Sequence, residues 1–408
     1  MQTFDAARMR AQNRALILKR IWRDRQTSRA TLARDSGMSR STLSAIVSDL
    51  MATGLVETLG AGSSRGGRRP ILVGFDDDAC CIVGVEMGAA HVGVALTNLR
   101  GQMQAWRYQP HPVRTQPKTT LSLIRRLVRS CLNEAQAYTD RLVGIGIAVP
   151  SPIEPRARRQ MSPLIMPAWE GVDLVEELGG TFGGLVELDN DANLGALAEH
   201  WWGAHSPGDL AYVKIATGVG AGLLINGEVY RGAGGIAGEI GHTAIDPSGP
   251  RCICGLDGCL VMLVGSEALV GRVAAALARH PTSALASVPV DIHAITDAAL
   301  AGDALALELV SDTGHHLGIA LASLLNLLNP ATVVLGGELT RAGDLLLAPL
   351  RTTLATRSLF TSVSEAEVVT SKLGAQAIAV GAATMILRAA LDEPVLFPLP
   401  TQHLDIAR

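Results

Sequence analysis

Aromatic residues and cysteines are both scarce in this 408-residue sequence: Phe, Trp and Tyr make up 3% of it, and it contains six Cys. Six cysteines are too few for a disulfide framework in a chain of this length. No run of about 18 apolar residues continues without interruption, so the sequence predicts no membrane span. The first residues lack the apolar core of a secretion signal, and we therefore expect a cytoplasmic protein.

What the sequence does contain is typical of a globular α/β protein. Hydrophobic residues make up 48% and charged residues 18%, with 43 Gly for tight turns between strands and helices. The length predicts two or three domains.

Charge is unevenly distributed along the chain. Residues 1–69 hold 13 Lys/Arg and 5 Asp/Glu, a net charge of +8, whereas the rest holds 22 and 33, a net charge of −11. A basic head on an acidic body indicates that the head binds a polyanion. The alternative is a solvated basic face.

Apolar residues at helical spacing predict three helices in the head. The first covers 8–25, Ser28 caps the second, which ends at Gly37, and Ser39 caps the third. The small residue Ala33 and the turn at Gly37 are typical of a helix-turn-helix, although a plain three-helix bundle has a similar pattern. The apolar face of the third helix consists of Leu43, Ile46, Val47, Leu50 and Met51.

This arrangement predicts a DNA-binding surface. Side chains at the start of the third helix can contact bases and phosphates in the major groove, and these are Arg40, Ser41, Thr42 and Ser44. Strands over 54–59 and 70–73, joined by a Gly-rich turn, predict a wing. The arginines of the turn can insert into a minor groove, or else belong to a solvated linker; they are Arg65, Arg68 and Arg69.

Beyond residue 80, strands alternate with helices, which predicts an α/β fold with two lobes. The predicted strands cover 81–85, 91–96, 142–149, 185–188, 210–215 and 332–335, and the predicted helices cover 121–135, 191–202, 266–280 and 303–328.

Three cysteines within eight residues form the strongest chemical signal: Cys252, Cys254 and Cys259. With His242 they complete a tetrahedral set of three thiolates and one imidazole. Such a closed set suits structural zinc, because catalytic zinc keeps an open position. The alternative is a group of free buried cysteines, but those are usually scattered. The sequence therefore predicts bound Zn²⁺.

A polar segment, Asp189-Asn190-Asp191-Ala192-Asn193, lies between a predicted strand and a predicted helix. Carboxylates and amides at such a position can bind hydroxyl groups, although helix capping explains one of them. The glycines of 216–222 follow another strand and can cradle a phosphate, which is weak evidence on its own.

In this order, the motifs resemble those of the ROK family (repressors, open reading frames and sugar kinases) over nearly the whole chain. They are DNDAN at 189–193, ATGVGAG at 216–222, GIAGEIGH at 235–242, CICGLDGC at 252–259 and LNPATVVLGG at 328–337. The resemblance implies an α/β fold: a winged helix-turn-helix followed by a two-lobed, actin- or hexokinase-like domain. We predict the head over 1–75, a smaller lobe over 76–190 with a C-terminal helix over 376–395 packed back on it, and a larger lobe with the zinc site over 191–375.

The resemblance also implies roles for single residues. A sugar would be contacted by Asn190, Asp191, Glu239 and His242, and His242 would also bind zinc. In kinases of the family, the position of Asp191 is the catalytic base.

Two departures from the family pattern bear on activity. The Asp-x-Gly-Gly-Thr ATP loop of the kinases is replaced by residues 86–91, with Glu86 for Asp and Ala90 for Thr, so we expect no kinase activity. Val261 stands where the family has a sugar-contacting Glu, and a valine accepts no hydrogen bond from a hydroxyl group.

The winged helix-turn-helix and the resemblance to the ROK family together predict a sugar-responsive repressor, and the resemblance implies that it acts on genes for carbohydrate uptake or catabolism. Its partners would be a double-stranded DNA operator, a small sugar or sugar derivative, and further copies of the chain in a homodimer or homotetramer. Two alternatives stay open: an active ROK sugar kinase that also binds DNA, and a ROK-fold DNA-binding protein that has lost sugar binding.

Overall fold

The described part of the protein consists of a head, built from three helices and a three-stranded sheet, and a body, in which helices surround two five-stranded sheets. This computed structural model describes residues 6–62, 69–137, 139–154, 159–160, 164–205, 208–357 and 366–398.

The head has both predicted helix caps. The Ser28 side chain accepts a hydrogen bond from Thr31 N, and the Ser39 side chain accepts one from Thr42 N. Gly37 ends the second helix with φ 69°, a left-handed conformation that favours glycine. The elements of the head are α1 (Ala6–Asp24), β1 (Gln26–Ser28), α2 (Arg29–Ser36), α3 (Arg40–Ala52), β2 (Val56–Ala61) and β3 (Ile71–Phe75).

The wing strands β2 and β3 pair antiparallel, as the sequence predicted. Strand β1 pairs with the other edge of β3 and was not predicted, because three residues are too few to show a period. The head is therefore a winged helix-turn-helix.

The first sheet of the body has the strand order β10-β7-β4-β5-β6. β7 runs parallel to β4 and β10, and its eight residues are all buried, as expected for a strand covered on both faces. The elements from residue 81 to residue 190 are β4 (Cys81–Met87), β5 (His91–Asn98), β6 (Met103–Pro110), α4 (Pro117–Glu134), β7 (Leu142–Val149), β8 (Ile153–Glu154), β9 (Arg159–Gln160), α5 (Leu174–Phe182) and β10 (Leu185–Asn190).

The second sheet has the strand order β13-β12-β11-β14-β15. Its elements, with the helices around it, are α6 (Asp191–Trp202), β11 (Leu210–Ile215), β12 (Val219–Ile225), β13 (Glu228–Val229), α7 (Val261–Val264), α8 (Ser266–Ala276), α9 (Ile292–Leu300), α10 (Ala304–Leu328), β14 (Thr332–Gly336), α11 (Asp344–Arg357), β15 (Glu367–Thr370) and α12 (Ala377–Asp392).

The glycines of 216–222 lie in the hairpin between β11 and β12, and their role as a phosphate cradle stays a prediction. Most of the segment belongs to β12, which pairs antiparallel with β11. A Cβ atom on Gly222 would lie 2.1 Å from the carbonyl oxygen of Ala192, so glycine is required there for close packing of α6 on the sheet.

Helix α12 is the apolar core helix of the body. Residues Gly374–Asp392 are long and apolar enough to cross a membrane, but most of this segment is buried against β4, β7 and α6. A helix buried in this way belongs to the protein core.

The head shares its hydrophobic core with the body. Leu18 and Val47 of the head belong to the same buried cluster as Ile82 of β4 and Leu387 of α12. The head is thereby packed on the first sheet and α12. The domain boundaries given above remain predictions.

Candidate functional site

The acidic segment after β10 meets the second sheet through a buried ion pair. Asp191 begins α6, and its Oδ2 lies 2.5 Å from Nζ of Lys214 in β11. Burial alone would lower the pKa of Lys214, but the charges of Asp191 and Glu86 and the hydrogen bond outweigh burial, and the pKa is raised. Sequence reasoning missed Lys214, because a single lysine in an apolar strand forms no motif.

Asn190 and Asp189 are largely engaged in contacts within the protein. The Asn190 side-chain oxygen accepts hydrogen bonds from two backbone amides of α6, at 2.9 and 3.3 Å, and its nitrogen donates to Ser151 O at 3.3 Å. Asp189 forms an ion pair with Arg231. Capping therefore explains the position of Asn190, whose amide nitrogen keeps one further hydrogen for a ligand.

Glu239 is half-buried within electrostatic range of Asp191. Burial, and after it the charge of Asp191, raises the pKa of Glu239 to about 7. Near neutral pH this carboxyl group can therefore donate or accept a hydrogen bond, which suits a ligand with hydroxyl groups. Val261, the other expected position, begins α7 and packs against the apolar core of the second sheet.

The predicted metal ligands converge on one point. The ligand atoms of His242, Cys252, Cys254 and Cys259 all lie within 4.8 Å of one another. The Sγ atoms of Cys254 and Cys259 are 3.5 Å apart, and so are Cys252 Sγ and His242 Nδ1. Tetrahedral zinc with Zn–S bonds of about 2.3 Å places its sulfur ligands about 3.8 Å apart, so the four side chains fit zinc.

The loop that carries the cysteines requires a glycine at position 258. Gly258 has φ 65°, and a Cβ atom there would lie 1.5 Å from Asp246 O. The three thiols are free of disulfides. Burial lowers the pKa of His242, which favours the neutral imidazole that binds metals.

The turn between β4 and β5 is covered by an imidazole ring. A Cβ atom on Gly88 would lie 2.2 Å from the ring of His91, and His91 Nε2 lies 3.3 Å from Oε1 of the buried Glu86. The ring also stacks on Tyr108, with 5.0 Å between ring centroids. This ring leaves little room for a phosphate to approach the backbone of the turn.

The ROK family model matches residues 82–389. The chain belongs to the ROK family. The xylose repressor of Bacillus subtilis is 30% identical over 393 residues, which cover 96% of this chain and 99% of that protein. NagC of Escherichia coli, a DNA-binding transcriptional dual regulator, is 31% identical over 398 residues, 96% of this chain and 95% of NagC.

A solved structure shows the same similarity. The ROK family transcriptional regulator described as a homolog of the E. coli MLC protein has a TM-score of 0.79 and 26% identity, over 95% of this chain and 98% of that one. These matches extend beyond the family model to include the head. The predicted family and fold are confirmed.

The residues predicted to contact DNA differ in exposure in this ROK protein. Arg40, Ser41 and Thr42 are exposed in the first turn of α3, whereas Ser44 is half-buried. The hydroxyls of Ser41 and Thr42 lie 2.9 and 2.8 Å from the Oγ atom of the cap, Ser39. Of the wing arginines, Arg69 is exposed, while Arg65 and Arg68 lie outside the described residues.

Proposed function

We propose that this ROK protein is a sugar-responsive transcriptional repressor, whose head binds operator DNA and whose body binds a small sugar without phosphorylating it. The observation that carries the proposal is the exposed first turn of α3. It presents Arg40 from a basic winged helix-turn-helix that is packed on a ROK body. The names of the full-length relatives, a xylose repressor and a DNA-binding regulator, support the same function.

The state of Asp191 argues against phosphoryl transfer. A general base must accept a proton from the attacked hydroxyl group, and a carboxylate whose Oδ2 already accepts a hydrogen bond from an ammonium group has one oxygen fewer for that task. Lys214 holds Asp191 in this way, and His91 covers the turn where the kinases bind phosphate. We therefore assign Asp191 and Glu239, with the remaining N–H of Asn190, to sugar binding alone.

Zinc has a structural role in this proposal. His242 and the three cysteines would hold Zn²⁺ and fix the segment that follows Glu239, and with it one side of the sugar site. His242 would bind zinc through Nδ1, which lies 3.5 Å from Cys252 Sγ, and its Nε2 would remain available for a sugar contact.

Repression requires two heads at a fixed spacing. A homodimer would place two α3 helices on the half-sites of a pseudo-palindromic operator. A sugar changes DNA affinity only if it binds the two arrangements of the heads with different affinity. The protein would act in the cytoplasm, and the regulated genes would encode proteins for carbohydrate uptake or breakdown.

The test measures DNA affinity with and without sugar. Duplexes that the sugar-free protein selects from a random library serve as operator, and D-xylose, N-acetylglucosamine, its 6-phosphate and ATP are added at saturating concentration. We expect one of the sugars to raise the midpoint of thermal unfolding and to weaken DNA binding about tenfold or more. ATP should change neither quantity. The proposal fails if no sugar changes DNA affinity.

Two other outcomes would assign a different function. Sugar-dependent ATP turnover that is lost in Asp191→Asn would identify a kinase that also binds DNA. If calorimetry detects no sugar binding while DNA binding is intact, the protein would be a DNA-binding protein whose body has lost its ligand. Val261 is the residue that favours this candidate function.

A further inference from the structure

Three tryptophans meet where the body contacts the head. The ring centroid of Trp22, in α1, lies 5.3 Å from that of Trp201 and 6.3 Å from that of Trp202, the last two residues of α6. The rings of Trp201 and Trp202 are 5.8 Å apart. We call these three residues the tryptophan cluster. The chain has five Trp in all, so most of them lie at this one contact.

Trp22, a residue of the head, is bound to the segment that follows β5 in the first sheet. Its indole Nε1 donates a hydrogen bond to Leu99 O at 3.0 Å. The guanidinium carbon of Arg100 lies 4.5 Å above its ring, and Arg100 Nη1 donates to Trp22 O at 2.9 Å. Arg100 is in turn paired with Asp77. The head side of the tryptophan cluster is therefore held by several directional contacts.

Helix α6 joins the tryptophan cluster to the sugar site. It has 12 residues, from Asp191 at the ion pair with Lys214 to Trp202 at the cluster. Its length is about 17 Å at about 1.5 Å per residue. A single helix thus has one end among the predicted sugar ligands and the other end on the head.

The two sheets are connected differently to the two helices that cross here. α6 packs mainly on β11 and β12 of the second sheet, with fewer contacts to β7 and β10 of the first, whereas α12 packs on β4 and β7 of the first sheet and on α1. The helices cross with their backbones in contact, since a Cβ atom on Gly381 would lie 1.8 Å from Leu194 O. A displacement between the sheets would turn α6 on α12 about this contact. It would act on Trp201 and Trp202, because Trp202 Nε1 donates a hydrogen bond to Thr384 Oγ1 of α12 at 2.7 Å.

We propose that α6 transmits occupancy of the sugar site to the head, with Trp201 and Trp202 as positioning residues that act through Trp22. This inference rests on the proposed function and names the path by which it is regulated. A sugar bound to Asp191 and Glu239 shifts α6 as a rigid body. Packed aromatic rings change between discrete arrangements rather than deform, so the shift changes the orientation of α1.

The test separates signal transmission from folding and from ligand binding. In Trp201→Leu and Trp22→Leu we measure sugar affinity by calorimetry, and affinity for the selected duplex with and without D-xylose or N-acetylglucosamine. We expect sugar affinity to stay within about threefold of the wild type, while the sugar-induced loss of DNA affinity falls from about tenfold to less than twofold. Trp106→Leu, in β6 and outside the cluster, is the matched control and should respond like the wild type.

An undiminished sugar response in both cluster variants would overturn the inference and leave the proposed function intact. A wild type that responds to no sugar would instead contradict the proposed function. A second measurement needs no sugar: the selected duplex should change amide hydrogen exchange in residues 191–202 of the wild type, and not in Trp22→Leu. Unchanged exchange in these residues of the wild type would also overturn the inference.

Discussion

Nζ of Lys214 lies 2.5 Å from Oδ2 of Asp191, and the two side chains are only 10% and 7% exposed. This ion pair links the second sheet to the end of the first, because Asp191 directly follows β10. The charge of Glu86 also raises the pKa of Lys214, so one ammonium group interacts with two carboxylates that the fold brings together. Loss of Lys214 would leave the buried Asp191 carboxylate without its counter-ion.

We predict that Lys214→Met destabilises the protein by about 3–5 kcal/mol, because it leaves the Asp191 carboxylate uncompensated. Denaturant unfolding measures this free energy. Lys19→Met is the control, since the ion pair of Lys19 with Asp392 is about half exposed and is worth about 0–1 kcal/mol. Lys214→Met combined with Asp191→Leu should recover part of the loss. Equal losses for Lys214→Met and Lys19→Met would contradict this prediction.

The same pair predicts a loss of stability at alkaline pH. The folded-state pKa of Lys214 is raised above its ordinary value of 10.5. The charged lysine therefore contributes its full stabilisation below pH 10.5 and loses it as the pH rises through the folded pKa. The difference in unfolding free energy between the wild type and Lys214→Met should be largest near neutral pH and shrink as the pH rises through the raised pKa of Lys214. A difference that grows with pH would show that the pair does not stabilise the fold.

Local features of the fold were predictable from the sequence. The bounds of β7 and α6 match the predicted 142–149 and 191–202, and both caps of the helix-turn-helix are present. Apolar periodicity and caps are properties of neighbouring residues, so a single sequence contains them. The cluster of His242 and three cysteines, which could hold a metal ion, was found for the same reason, since the three cysteines lie within eight residues.

Contacts between distant residues were not predictable in this way. Lys214 meets Asp191 only after β11 packs beside α6, and Trp22 meets Trp201 only after the head packs on the body. The packing role of Gly222 was not visible in the Gly-rich segment 216–222, because a glycine required by close helix packing and a glycine in a phosphate loop look alike in a sequence.

Cys254→Ser should release zinc. The four ligand atoms form a closed set, and a hydroxyl group is a poor substitute for a thiolate. We expect about one zinc per chain in the wild type by elemental analysis, a much lower content in the variant, and a lower midpoint of thermal unfolding. Cys131→Ser is the control. Cys131 lies in α4, buried beside Val94 of the first sheet, so the Cys131→Ser protein should keep its zinc. Zinc retained in Cys254→Ser would remove this residue from the ligand set.

Arg40→Ala tests how the head recognises DNA. Arg40 is exposed at the first position of α3, where a guanidinium group can form two hydrogen bonds to a guanine in the major groove. If it reads a base, the variant should lose about 1–3 kcal/mol of binding free energy on the selected duplex and little on random DNA. Fluorescence anisotropy on both duplexes measures the two losses. The control is Arg279→Ala, since Arg279 is an exposed arginine of the body.

Equal losses on both duplexes would show that Arg40 contacts only phosphate. The slope of log affinity against log salt concentration should then fall by about one. Sequence specificity would then have to come from Ser41, Thr42 or the wing.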